Sequence, residues 1–305
     1  MGLGTLAVIL NTSSGSVTPE AIAAIERAIA REGLEAHLHA VAGPQLRETA
    51  ERAAASGQTL VAAGGDGTVS SVAGVAAAAA ATLGIVPLGT LNHFARDAGI
   101  PGDIDAAVAT LARGRTGTLD AGEISGHVFV NNCSLGFYPR IVRERRMAER
   151  RGRSKWTAFA IGMARAWMHY RPITVHLTVD GAPLVRRTPF VFVGNGEYTV
   201  EGTQLGSRRS LTGGRLWIYL APACGRFEML GLSVRALAGR LRGDVTLEAF
   251  AASDVTIEMA PRTVTVAVDG ELLALTPPLR CAIRPRALRT LVPAASTGDQ
   301  EIFCT

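Results

Sequence analysis

A glycine-rich turn stands between a predicted strand and a predicted helix in the first third of the chain. The strand, over 59–63, is apolar, and the helix is predicted over 69–81. Glycine lets backbone N–H groups approach an anion closely, and the first turn of a helix attracts negative charge. The pattern therefore indicates an α/β sheet with an anion-binding turn at the end of one strand, made of Gly64, Gly65, Asp66, Gly67 and Thr68.

The carboxylate in this turn, Asp66, favours a metal ion as part of the site. A carboxylate repels phosphate, whereas it binds a divalent cation that can bridge to phosphate oxygens. A second glycine turn follows the next predicted strand, 84–87, and contains Gly89, Thr90 and Asn92. Turns that end neighbouring parallel strands lie side by side on one sheet edge. We therefore predict one nucleotide and metal site at this edge.

The turn after the first predicted strand is a weaker candidate. It follows the strand at 5–10 and contains Asn11 and Ser14. Their amide and hydroxyl groups could hold ribose or phosphate at the carboxyl edge of the sheet. The same residue types are common in ordinary turns and helix caps. The residues alone leave both interpretations open.

The order of predicted elements divides the chain into two parts. Strands and helices alternate up to about residue 118, which favours a Rossmann-like parallel sheet with helices on both faces. Beyond that point the predicted elements are short strands separated by glycine or proline, which favours an antiparallel β-sandwich. We predict an α/β domain over 1–120, a sandwich domain over 121–283, a final segment near 284–295 that returns to the first domain, and a flexible tail over 296–305.

The composition excludes several ways of handling phosphate. The chain has 305 residues and 31 basic side chains, of which the single lysine is Lys155. A Walker-type loop, a protein-kinase strand lysine or a Schiff-base lysine would all require that residue, which follows no suitable glycine loop. The net charge of +5 favours anionic partners such as nucleotides and acidic lipids, and nucleic acid is not predicted.

The cysteines and the hydropathy pattern predict a cytoplasmic protein, peripheral at most on the inner face of the membrane. The four cysteines are scattered, which indicates neither a zinc site nor a disulfide framework. The first ten residues lack a signal-peptide pattern, and no apolar stretch has the length of a transmembrane helix.

The motifs GGDGT and PLGTLNHFAR, with NTSSG before them and VDGE late in the chain, resemble the diacylglycerol kinase catalytic-domain family. The resemblance is strongest to its bacterial soluble lipid kinases; the same superfamily includes sphingosine and ceramide kinases and, more distantly, NAD kinases and phosphofructokinases. It implies an ATP- and Mg²⁺-dependent lipid kinase with ATP in the cleft between its two domains. It also implies that Gly65, Asp66, Gly67 and Thr68 lie at the phosphates and metal, Thr90 and Asn92 in the same cleft, and Asn11 and Ser14 near the nucleoside.

The segment with Asp269, Gly270 and Glu271 is the source of the predicted catalytic base. Asp-Gly is a strong hairpin signal, so Asp269 could serve the turn alone. The resemblance implies an acidic base here, and we predict Glu271 first and Asp269 second. It further implies that Asp120, at the predicted domain junction, orients metal or base, although a plain linker turn explains Asp120 equally well.

Two departures from the family pattern concern charge. His93 stands where many relatives have aspartate. The segment around Thr212 and Gly213 lacks the carboxylates that bind a structural magnesium in many relatives, which puts that site in doubt. A nucleotide- or lipid-binding homologue without catalysis is therefore one alternative function. An NAD kinase-like phosphotransferase is another, although a glycine separates Asn195 from Glu197, where an Asn-Glu motif is expected.

A basic segment followed by an apolar stripe predicts contact with an anionic membrane. Between 140 and 155 there are eight basic residues against two acidic ones. Trp156, Phe159, Ala160, Met163 and Trp167 then recur at helical spacing. A surface helix of this kind can settle on a bilayer, although a helix packed on its own core has the same pattern. We predict membrane contact through 140–167; the identity of the lipid and the oligomeric state stay open, a homodimer included.

Overall fold

The structure is a computed structural model. It describes residues 4–150, 170–201, 204–223 and 247–294, together with residues 157, 161, 164, 165, 167, 168, 225, 228 and 231. Of the five residues in the predicted membrane stripe, Trp156, Phe159, Ala160 and Met163 lie outside the described residues. No helix in the described part of the chain is long and apolar enough to cross a membrane.

The first part of the chain forms a parallel sheet with helices against it. Its strands are β1 Leu6–Asn11, β2 Ala36–Val41, β3 Thr59–Gly64 and β4 Thr82–Pro87; their spatial order is β2-β1-β3-β4, and all three pairings are parallel. Every residue of β3 is buried, as expected for a strand covered on both faces. The helices of this part are α1 Pro19–Arg31, a 3-10 helix Gly43–Gln45, α2 Leu46–Ala55, α3 Asp66–Ala79, α4 His93–Asp97 and α5 Ile104–Arg113.

Helix α3 starts three residues before its predicted start at 69. Gly65 is its N-cap, so Asp66, Gly67 and Thr68 form its first turn. Because three glycines lower helix propensity, the local pattern placed these residues in the turn. The consequence is chemical: the Asp66 carboxylate stands at the positive end of the helix dipole, where negative charge is stabilised.

The long strand β18, Leu279–Val292, joins the two parts of the molecule. It pairs with β4 in parallel at Arg289 and Thr290, and with β5, Arg115–Ile124, over most of its length. At its other end it pairs with β15, Asp254–Glu258. The sheet then continues through β8, Ile173–Val179, and β9, Ala182–Thr188, with β6, His127–Phe129, on β5. One ten-stranded sheet therefore runs through both predicted domains.

A six-stranded antiparallel sheet packs on the far half of this sheet. Apolar side chains from both sheets, among them Val193, Ile218 and Ile257, form the sandwich core. The strands, in spatial order, are β14 Glu248–Ala252, β13 Leu216–Leu220, β10 Phe190–Asn195, β7 Asn132–Gly136, β16 Val264–Val268 and β17 Glu271–Leu275. A hairpin of β11 Tyr198–Glu201 and β12 Gln204–Arg208, and helix α6 Phe137–Arg150, complete the described elements. The predicted fold class is thus confirmed.

The segment 128–131 is one of the short strands predicted beyond residue 118, and the structure bears it out only at Val128 and Phe129. The structure has β6 ending at Phe129 and β7 beginning at Asn132. The backbone N–H groups of Val130 and Asn131 do not join a strand ladder, because both donate to the carboxylate of Asp269. A distant side chain has therefore replaced the strand partner.

Candidate active site

The two glycine turns meet at the carboxyl edge of the parallel sheet. Strands β3 and β4 are neighbours, and the N–H of Leu88 donates to the carbonyl of Gly64 at 2.9 Å. A Cβ atom added to Gly89 would lie 2.6 Å from the Cα of Gly65. Only glycine fits this approach, so the turns form a cradle of bare backbone.

Asn92 closes the second turn on itself. Its Oδ1 accepts from the N–H of Gly89 at 3.0 Å, and its Nδ2 donates to the carbonyl of Gly89 at 2.8 Å. The residue has a φ of +47°, a left-handed conformation that asparagine tolerates. Asn92 thus shapes the turn, while Thr90 beside it is exposed.

Replacing Gly89 with alanine is expected to damage both the fold and the cradle. The new Cβ would lie 2.6 Å from Gly65 Cα and from Asn92 Oδ1, so the turns must separate. We expect a loss of about 1–3 kcal/mol in the free energy of unfolding, measured in urea. Gly74→Ala, in α3 with open space around it, is the matched control and should not destabilise. Unchanged stability of Gly89→Ala would contradict the close approach.

The Asp66 carboxylate fits a role as a cation ligand. Its Oδ1 is buried and has no hydrogen-bond partner among the residues that the structure describes. A buried carboxylate oxygen without a partner is costly unless a bound group satisfies it. The described residues contain no cluster of three or more His, Cys, Asp or Glu side chains suited to a metal. Mg²⁺ suits such a site, because it is commonly held by one or two carboxylates, substrate phosphates and water.

The turn after β1 lies on the same edge, since β1 neighbours β3. Asn11 Oδ1 accepts from the N–H of Ser13 at 3.0 Å, and the hydroxyls of Ser14 and Ser16 are 2.8 Å apart. These contacts make a compact local turn. They fit a plain turn and a nucleoside contact equally well, as the sequence does.

Asp269 has the most completely bonded carboxylate of the predicted site residues. Its Oδ1 accepts from the N–H groups of Asn131 and Asn132, both at 2.9 Å. Its Oδ2 accepts from Val130 N at 2.8 Å and from the Ser70 hydroxyl at 2.6 Å. Burial raises the pKa of the Asp269 carboxyl, and these four hydrogen bonds act in the opposite direction. With all four acceptor positions used, Asp269 holds structure together and has no free lone pair to take a proton from a substrate.

Glu271 lies two residues beyond this anchor, at the start of β17, and is exposed. Ser70 is one helical turn after Asp66, so the two side chains share one face of α3. The Asp269–Ser70 contact therefore brings the turn that carries Glu271 to the first part of α3. Of the two predicted bases, Glu271 has an exposed carboxylate and Asp269 has the structural contacts.

Asp120 lies inside β5, so it is not part of a linker turn. Its Oδ2 accepts from Gly214 N at 2.6 Å and its Oδ1 from Arg286 N at 2.8 Å. The carboxylate thereby joins β5 to the 211–214 loop and to the part of β18 where the strand register shifts, between Arg284 and Leu288. Both oxygens are directed at backbone donors, so this arrangement does not favour the predicted metal role of Asp120. Thr212 and Gly213, in the same loop, have no carboxylate of their own.

His93 and Asn195 also have local partners. His93 Nδ1 lies 3.3 Å from Arg96 Nη2 at the start of α4. Asn195 is buried, and its side-chain amide donates to the carbonyls of Asp120 and Val130. The amide of Asn195 is therefore committed to the junction.

Sequence reasoning missed three groups that position the site: Ser70, the amides of 130–132, and the buried pair Asp97 and Arg208. The side chains of that pair are 3% and 0% exposed, with 2.7 Å between Asp97 Oδ2 and Arg208 Nε. The helical spacing of Ser70 from Asp66 could have indicated the first. The sequence contains no signal for the other two.

The match to known families covers nearly the whole described architecture. Residues 5–124 match the diacylglycerol kinase catalytic domain, and residues 140–292 match the YegS C-terminal NAD kinase beta sandwich-like domain. An α/β sheet with paired glycine turns, joined to a sandwich, is thus a diacylglycerol kinase-type architecture. The chain therefore belongs to the family that carries the diacylglycerol kinase catalytic domain together with the YegS C-terminal domain.

Similar proteins include both curated sequences and solved structures. A probable lipid kinase YegS-like protein of Cronobacter sakazakii is 38% identical over 107 residues, which are 33% of this chain and 36% of the relative. Its counterpart in Yersinia pestis is 35% identical over 147 residues, 46% of this chain and 49% of the relative. These matches span about half or less of either relative. A putative diacylglycerol kinase from Bacillus anthracis has the same fold, with a TM-score of 0.75, 21% identity and 96% coverage of both chains.

Proposed function

We propose that the protein is an ATP-dependent lipid kinase that transfers the γ-phosphoryl group to a lipid hydroxyl, with diacylglycerol or a related lipid as acceptor. The observation that carries the proposal is the contact between Asp269 and Ser70. It brings an exposed carboxylate, Glu271, to the helix that begins with Asp66, whose Oδ1 has no hydrogen-bond partner among the described residues. Phosphoryl transfer requires little more than positioning, charge neutralisation and a base.

The residues of the cradle supply the binding part of this chemistry. The backbone N–H groups of the two glycine turns and the start of α3 are suited to the triphosphate. Asp66 would hold Mg²⁺, which neutralises charge on the phosphates when bound. Glu271 would accept the proton of the attacking hydroxyl, and Asp269 would hold the turn that carries Glu271 in place.

Exposed apolar side chains and arginines on α6 and near it support access to lipid. Tyr138 and Met168 are exposed large apolar side chains, 48% and 52% accessible. Arg140 and Arg143, one helical turn apart, line a cavity of about 240 Å³ with apolar neighbours, including Pro139, Ile173 and Met259. Arginine beside apolar and aromatic surface favours an anionic membrane interface. We propose that this face contacts the inner side of the cytoplasmic membrane.

The direct test is incubation of the purified protein with labelled ATP, Mg²⁺ and vesicles that contain diacylglycerol, monoacylglycerol, ceramide or sphingosine. Label should appear in at least one lipid. ATP binding without transfer to any of them would favour the catalytically inactive homologue. A parallel reaction with NAD tests the NAD kinase alternative, which the committed amide of Asn195 disfavours.

Replacing Glu271 with glutamine should reduce turnover by about 10²- to 10⁴-fold, the usual contribution of a general base. The side chain is exposed, so the free energy of unfolding should stay within about 0.5 kcal/mol of the original. Glu258→Gln, an exposed carboxylate at the end of β15, is the matched control. A Glu271→Gln enzyme with near-normal turnover would exclude Glu271 as the base.

A further inference from the structure

Arg208, the last residue of β12, has a fully buried guanidinium. Its Nε lies 2.7 Å from Asp97 Oδ2, and Asp97 is the last residue of α4. Two charges removed from water are tolerated only when their geometry and additional hydrogen bonds compensate for the lost hydration. The further contacts of this guanidinium are therefore part of what keeps it inside.

Those contacts reach the segment that binds Asp269. Arg208 Nη1 donates to the carbonyl of Val130, and Nη2 donates to Asn131 Oδ1 at 3.0 Å. The rings of Phe94 and Tyr198 lie with their centroids 5.7 Å from the guanidinium carbon. Arg208 thus binds α4 on one side and residues 130–131 on the other.

The segment 130–132 is bonded on two sides, by Arg208 and by Asp269. Its carbonyl and side-chain oxygens face Arg208, and its three backbone N–H groups face the carboxylate of Asp269. The hydroxyl of Tyr198 adds a bond to the carbonyl of Asn131 at 3.0 Å, and burial raises the pKa of Tyr198 to about 12. At neutral pH this hydroxyl stays protonated and remains a donor.

A continuous series of hydrogen bonds and ion pairs therefore joins the two sides of the site. It starts at α4, which follows the second glycine turn directly, and passes through Asp97, Arg208 and residues 130–132. It continues through Asp269 to Ser70 on α3, the helix that begins at the first glycine turn. This series of contacts begins and ends on helices that follow the two glycine turns of the nucleotide cradle, and Asp269, within it, belongs to the turn that carries Glu271.

We infer that Arg208 is a positioning residue that fixes the turn of Asp269 and Glu271 relative to the nucleotide cradle. It touches no reacting atom and acts through Val130, Asn131 and Asp269. Lysine cannot replace it, because an ammonium group lacks the planar fork that binds Asp97, Val130 and Asn131 together. The consequence for turnover rests on the proposed function, whereas the consequence for the geometry does not.

The test compares Arg208→Lys with the original protein by hydrogen–deuterium exchange. We expect exchange at 130–132 and 268–271 to become at least about tenfold faster, while β1 exchanges at its original rate because the global fold persists. Arg209→Lys is the matched control. The side chain of Arg209, next in sequence, is exposed and forms an ion pair with Glu197 at 3.6 Å. If 130–132 keep their original exchange, or if β1 accelerates equally, the inference is overturned.

Asp97→Asn provides a second variant should Arg208→Lys fail to fold. It keeps the shape and one acceptor oxygen while removing the charge, and it should speed exchange in α4 and at 130–132. Unchanged exchange there would also overturn the inference.

Turnover separates this inference from the proposed function. A misplacement of about 1 Å can lower turnover by about 10²-fold, so the folded variant should lose about 10- to 100-fold in kcat with its ATP dissociation constant within about twofold. Exchange that changes as expected in a protein that phosphorylates no lipid would sustain the positioning role and reject the kinase. Normal kcat with loosened 130–132 would overturn the positioning role for the reaction.

Discussion

Replacing Asp66 with alanine is expected to lower turnover by about a thousandfold or more. The carboxylate stands in the first turn of α3, and its Oδ1 has no partner within the described part of the chain. Loss of a divalent cation that neutralises phosphate charge removes several kcal/mol of transition-state stabilisation. At 1.36 kcal/mol for each factor of ten, about 4 kcal/mol corresponds to the expected loss.

The measurement that isolates this effect is turnover across a magnesium titration, with ATP binding measured alongside by calorimetry. Asp66→Ala should bind ATP without magnesium as the original does, and should lose the gain in turnover that magnesium gives. Asp105→Ala is the control, because this carboxylate is exposed and forms a surface ion pair with Arg31. A variant of Asp66 that retains near-normal turnover and magnesium response would reject its assignment as the metal ligand.

Local patterns predicted the parallel half of the fold well. Strand β3 and helix α3 show their type in consecutive residues, since an apolar run and an alanine-rich segment need no distant partner to be recognised. Strand β5 was missed because Gly117 and Gly122 interrupt its apolar pattern. Gly122 is required by tertiary packing, since a Cβ there would lie 2.2 Å from the ring of Phe129.

The site, too, has features that adjacent residues reveal and features that depend on distant ones. The glycine turns could be predicted because their chemistry is contained in a few adjacent residues. The buried connections could not, because they join residues far apart in the chain: Asp97 and Arg208 are separated by 111 positions, and Ser70 and Asp269 by 199. An aspartate in a DG turn has the same sequence whether it faces solvent or accepts four hydrogen bonds. Only the fold distinguishes these states.

Replacing Asp269 with alanine should cost about 3–5 kcal/mol in the free energy of unfolding, the range for breaking a buried charged contact. The three amides of 130–132 and the Ser70 hydroxyl would lose their acceptor, and each unsatisfied buried donor costs about 1–3 kcal/mol. Urea unfolding measures the loss. Asp254→Ala, an exposed aspartate at the start of β15, is the control. A loss below about 1 kcal/mol would contradict the anchoring role.

The two acidic residues of this turn should therefore separate when stability and turnover are measured on the same samples. Asp269→Ala should lose both, because the turn that carries Glu271 comes away from α3. Glu271→Gln should lose turnover alone, because its side chain is exposed. If Asp269→Ala instead kept its stability and lost only turnover, Asp269 would be the base, and its four hydrogen bonds would have to open during the reaction.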